Sequence, residues 1–250
     1  AGETSPLEFR VNNTTAMRYE PSSSIPNIVG GYGGNSVVPG VIGATIAGGG
    51  QSGWANTIES DFAVIAGGQG NLIDDQSPNS MIGGGISNRI DRFSYACLID
   101  GGGNNLIFGG NYNTIGGGRS NLLDSGAFGS CNYSTIAGGL FNRLSPGAYV
   151  CTISGGVTNR ISESAAYGTI GGGEGNFLGP RGDGCTIAGG RANIVSGDAE
   201  SVTIAGGAGN SVDQGDRWAT ISGGQGNRVS GLTDSGTIGG GTGNTIEPSG

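Results

Sequence analysis

One short sentence is written many times in this chain. "TIAGGAGNSV" at 203–212, "TISGGQGNRV" at 220–229 and "TIGGGTGNTI" at 237–246 are copies of a single unit, Ile-x-Gly-Gly-x-x-Asn-x-aliphatic. The leading position is held by Ile65, Ile82, Ile99, Ile115, Ile136, Ile153, Ile170, Ile187, Ile204, Ile221 and Ile238, and from Ile136 onward the step is seventeen residues six times running. Ile46 opens a further copy with four residues inserted before Asn56, and "NIVGGYGGNSV" at 27–37 reads as a worn first copy. Self-similarity at a fixed period marks a repeat architecture in which each unit buries its apolar side only against its neighbours. About thirteen units cover residues 28–246.

The columns of the repeat say what each unit does. After Gly-Gly and two variable positions comes an unchanging Asn: Asn71, Asn88, Asn105, Asn121, Asn142, Asn159, Asn176, Asn193, Asn210, Asn227 and Asn244. Two residues later stands Ile, Leu or Val without exception, from Ile73 to Ile246, and two before the leading Ile stands a small residue. Steps of two are the strand period, in which alternate side chains share a face. Each unit therefore holds two short strands, with glycine-rich turns between them. Seventeen residues are too few for a strand, a crossover helix and a return strand. The predicted fold is all-β: a parallel β-solenoid, a β-roll or β-helix of about thirteen 17-residue turns, occupying 28–250. The leading Ile and the later aliphatic face each other across the interior. The Asn points inward near a corner, where stacked amides satisfy buried bends. Two aliphatics per unit make a thin core, since each contributes about 1.5–3 kcal/mol while ordering a residue costs about 1–2 kcal/mol. Self-association is the expected remedy.

Composition then removes whole classes of function. Gly supplies 57 of 250 residues, yet collagen fails for want of a three-residue period, and disorder fails because the apolar positions recur. There is no Lys and no His, and eleven Arg face nineteen carboxylates for a net charge of −8. That balance argues against nucleic acid, whose phosphates need clustered cations. Without His the chain lacks the usual general base and the commonest metal ligand. No apolar run approaches the ~20 residues needed to span a bilayer, and no basic-then-apolar leader opens the chain. No catalytic residue, cofactor or metal is expected.

The residue before each leading Ile points outward. Eight consecutive copies place Thr there: Thr114, Thr135, Thr152, Thr169, Thr186, Thr203, Thr220 and Thr237. The next outward column is Ala, Gly or Ser apart from Asp100. Such a smooth, low-relief face suits simple strand propensity, packing against sister chains, docking to ordered water as in ice-binding solenoids, or glycan attachment.

The stretches "YGTIGGGEGN" (167–176), "WATISGGQGN" (218–227) and "SGTIGGGTGN" (235–244) resemble the head repeats of trimeric autotransporter adhesins and related Gly-rich repeats of phage tail fibres and bacterial surface proteins. The resemblance implies a left-handed coil wound as a homotrimer. "GGQGN" and "GGAGN" are also similar to calcium-binding repeats-in-toxin units, but those need Asp directly after, where this chain has Leu72, Arg89, Arg143, Arg160, Phe177, Ser211, Arg228 or Thr245.

The remaining features read as follows. Asp74, Asp75, Asp91, Asp198, Glu200, Asp213 and Asp216 gather where units join, as solvated turns or, alternatively, as a polysaccharide-cleaving pair. Cys97, Cys151 and Cys185 share the small inward column and have no partner within disulfide reach; Cys131, in the insertion "SGAFGSCNYS", reads as the exposed thiol. Phe62, Tyr112, Tyr133, Tyr167 and Trp218 recur just before the strand, with Trp54 in the first insertion, suiting core packing, a subunit seam or stacking on sugars. Residues 1–27 carry alternating "LEFRVN" and "TAMRYEP" around "NNT", a hairpin that caps the coil or is donated to a neighbour. The functional expectation is a non-enzymatic extracellular fibre or adhesin segment on a cell surface or virion, self-associating as a homotrimer or head-to-tail filament, with surface glycans as possible ligands. A monomeric ice-binding solenoid and a glycan-cleaving β-helix are the alternatives.

Overall fold

The computed structural model describes residues 5–126, 131–231 and 234–247. The first four residues of the expected hairpin segment, and residues 127–130 of the insertion before Cys131, lie outside them. Among the described residues there is no α-helix. Contacts divide the chain into two units, Ala1–Ser120 and Asn121–Gly250. Each is a parallel β-solenoid, with six turns in the first and seven in the second, on a repeat of about seventeen residues.

In the first unit one sheet runs Val29, Ile46, Ile65, Ile82, Ile99, Ile115 in strict parallel register. The other runs Val37, Ile58, Ile73, Ile90, Ile107. The second unit repeats the scheme with Ile136 through Ile238 on one sheet and Leu123 through Ile246 on the other. Most strands are two residues long. They persist because pairing does not end with them. Single-residue bridges form further columns, such as Leu140, Val157, Glu174, Arg191, Ala208, Gln225 and Thr242, and Asp183, Glu200, Arg217 and Asp234.

The turn over residues 151–167 shows what this achieves. Thr152, Ser154, Val157, Thr158, Arg160, Ser162, Ser164 and Tyr167 all donate their backbone N–H to a carbonyl of an adjacent turn at 2.8–3.0 Å. Each such bond contributes about 0.5–1.5 kcal/mol net. The bends between sides are made by residues with positive φ: Gly156 at 87°, Thr158 at 55°, Ser164 at 56° and Tyr167 at 57°. Gly156 cannot be replaced without displacement, because a Cβ there would overlap the Gly173 carbonyl oxygen of the next turn and the Asn159 amide.

The interior is fuller than two aliphatics per turn. A further inward column lies four residues after the aliphatic: Ser77 and Ser94 in the first unit, Ala148, Ala165, Ala199 and Asp216 in the second, all buried. With the small residue, the leading Ile, the Asn and the aliphatic, five side chains per turn face inward. The sequence reading missed this column because its members, Ala, Ser, Gly and Asp, look like turn residues.

A hairpin precedes the first coil. Leu7–Val11 and Thr14–Glu20 pair antiparallel, joined at Asn12 and Asn13 with φ of 48° and 64°, the conformation a two-residue hairpin turn demands. Thr14–Glu20 then pairs antiparallel with Asn27–Gly30, the first strand of the first sheet.

Candidate contact surface

The Asn column is structural in its bonding. Asn159 donates from Nδ2 to the carbonyl of Gly155 in its own turn (2.9 Å) and of Gly173 in the next (3.0 Å). Its Oδ1 accepts the backbone N–H of Asn176 at 3.0 Å, and its own N–H donates to Asn142 Oδ1. The pattern recurs at Asn88, Asn176, Asn193 and Asn210. Each amide thus ties glycine bends to the adjacent turn through backbone partners rather than amide to amide; Asn244, whose Nδ2 reaches Asn227 Oδ1 at 3.0 Å, does both. Asn35 and Asn56 belong to the same ladder. Asn35 stands six residues after Val29, the ordinary spacing, and four inserted residues separate Asn56 from Ile46.

The Thr column is a surface feature. In the second unit Thr135, Thr152, Thr169, Thr186, Thr203, Thr220 and Thr237 lie opposite one another in unbroken parallel register. The first six are half-buried and Thr237 is exposed. At strand spacing their hydroxyls repeat every ~4.8 Å. Beside them Ala137, Ser154, Gly171, Ala188, Ala205, Ser222 and Gly239 are exposed. No charged side chain interrupts these two columns. In the first unit Thr114 follows Leu98 and Met81 in the same role.

The other sheet is laced with ions. Arg89 donates to Asp74 at 2.6 Å and to Asp91 at 3.1 Å, and Arg92 approaches Asp75 at 3.4 Å. Arg143 pairs with Asp124 and Arg228 with Asp213, and Arg181 pairs with Asp198 in the turns that follow the strands. Burial pushes the Asp74 carboxyl up, but the backbone N–H of Asp75, a hydrogen bond with Asp91 and the Arg89 guanidinium outweigh it and hold the group below its ordinary value. Glu59, stacked one turn before Asp74, is raised by burial, then by the charges of Asp74 and Asp75 and a hydrogen bond with Asp74. The expectation of uniformly solvated acids therefore needs correction at two positions. Asp74 is nearly buried in its ion pair, and Asp216 is fully buried because it occupies the inward column of small residues. Among the described residues no group of three or more side chains is placed to hold a metal ion.

All four cysteines are buried thiols. The exposed Cys131 expected from the sequence is thus corrected. Counting three residues back from Ser134, as Ala148 stands to Cys151, places Cys131 in the inward column and the inserted residues before it. Burial drives the Cys97 thiol up to about 12, and those of Cys151 and Cys185 up to about 11.

The aromatics are not core residues. Phe62, Tyr112, Tyr133, Tyr167 and Trp218 all have positive φ and side chains 43–60 % exposed. No family model matches this chain, and no curated protein is significantly similar to it.

Proposed function

We propose that this chain is a non-catalytic structural and adhesive segment of an extracellular fibre or surface appendage, assembled by self-association of its solenoid. The observation that carries this reading is the in-register Thr column beside exposed Ala, Ser and Gly. Seven turns present the same flat, uncharged strip, so a second copy meets a repeating surface at every register. The likeness of the repeats to trimeric adhesin heads supports three chains. Sedimentation equilibrium tests the assembly: the expected mass is a multiple of 24.6 kDa, falling to that of one chain when Thr186 and Thr203 are both replaced by Arg. A single-chain mass at every concentration would overturn it.

One observation favours a second reading. A single straight row of hydroxyls at constant spacing also suits ordered water. Thermal hysteresis from a chain of single-chain mass, abolished by the same double substitution, would select ice binding instead.

A further inference from the structure

Of the seven tyrosines, five meet one another. Tyr95 and Tyr112 lie with ring centroids 5.5 Å apart at 80°, in the first unit. In the second, Tyr149 stands between Tyr133 (6.0 Å, 89°) and Tyr167 (5.9 Å, 87°). Each pair joins successive turns. The backbone holds two of them in place, since Tyr112 N–H donates to Tyr95 O and Tyr167 N–H to Tyr149 O, both at 2.9 Å.

The coil does not require a ring at this corner. Tyr112, Tyr133 and Tyr167 occupy the left-handed region with φ of 55–57°, which costs an L-residue roughly 1–2 kcal/mol. The buried part of each ring and its edge-to-face contact offset that strain, while all five residues remain 38–60 % exposed. The same corner is held by Gly184 and Ser201 in other turns. A flat sugar platform is also poorly served, because edge-to-face packing turns the rim of one ring onto the face of the next.

We propose that these tyrosine pairs are an oxidative cross-linking site, at which a peroxide acting through a one-electron peroxidase joins adjacent turns by carbon–carbon bonds between phenol rings. Each phenol loses one electron and one proton to give a tyrosyl radical. Two radicals couple at carbons ortho to oxygen, and the displaced ring hydrogens return to the oxygens, restoring both phenols. Two hydrogen atoms leave in total, and one hydrogen peroxide takes them up as two waters. The rims already adjoin, and exposed side chains reach coupling geometry by rotation costing about 1 kcal/mol. The linkage would join successive turns covalently in a chain whose four cysteines are all free thiols.

Arginine-specific digestion after treatment with a haem peroxidase and hydrogen peroxide tests this on the full chain. Tyr133, Tyr149 and Tyr167 fall in separate peptides, 120–143, 144–160 and 161–181, while Tyr95 and Tyr112 share 93–119. The expected products are 144–160 joined to either neighbour, and 93–119 lighter by two hydrogens, with dityrosine fluorescence. Because the rings are held together, these should exceed links to Tyr19 or Tyr32 by more than about tenfold. Tyr149→Phe keeps the ring and should remove both joins in the second unit while the 93–119 product persists. Links spread evenly over all tyrosines, links mainly between isotopically distinct chains, or no coupling would each overturn the proposal. None of these outcomes depends on whether the chain forms a fibre.

Discussion

At the scale of single residues, the repeated Asn and the repeated Gly are two halves of one device. Asn159 closes three bonds to backbone groups of its own and the next turn. Asn159→Ala leaves the Gly155 and Gly173 carbonyls and the Asn176 N–H without these partners, at about 1–3 kcal/mol for each buried group. A loss of about 3–5 kcal/mol in denaturant unfolding is expected. Gly156→Ala fails for another reason, combining a strained φ with overlap on the next turn's carbonyl, and should cost about 3 kcal/mol or more. The cysteines test burial directly. With thiols raised to about 11 or 12, Cys97, Cys151 and Cys185 should resist alkylation at mildly alkaline pH until the chain unfolds. Cys131 should resist equally; its rapid labelling in the native protein would contradict its place in the interior.

At the scale of elements, two-residue strands are viable only because every side of the coil pairs with its neighbours. The acids along the second sheet add a pH dependence whose sign is opposite at adjacent turns. Glu59 has a folded pKa above its ordinary value of 4.5. Its stabilising contribution is therefore complete below that value and is lost as pH rises through the folded pKa, leaving an ionised group that opposes folding at neutral pH. Glu59→Gln should stabilise the protein at neutral pH, by less than about 1 kcal/mol for a group near solvent, and the gain should vanish under acid conditions. Asp74, held below its ordinary value, behaves the other way: its contribution is present at neutral pH and disappears as acid protonates it. Thermal melts of both proteins across the acid range separate the two effects.

At the scale of the whole molecule, charge and surface act against each other. A net charge of −8 repels sister chains, whereas the Thr strip carries no charge at all. If that strip is the contact, added salt screens the repulsion and strengthens association. Weakening of the sedimenting species by salt would instead point to ion pairs such as those of Arg181 or Arg217.

The period of the repeat determined by itself that the chain is a parallel solenoid of about thirteen turns, and which Ile, Asn and Thr columns face inward or outward. Strand alternation is local and survives in a sequence. The tertiary structure alone decided the rest, because it depends on which residues stack between turns rather than along one. Ala, Ser, Gly and Asp reveal a buried column only when seen between neighbours above and below. Cys131 moves from surface to interior once the insertion is placed before it. Tyr149 meets Tyr133 and Tyr167 only because the coil returns to the same corner after each turn, carrying residues sixteen and eighteen positions apart into contact.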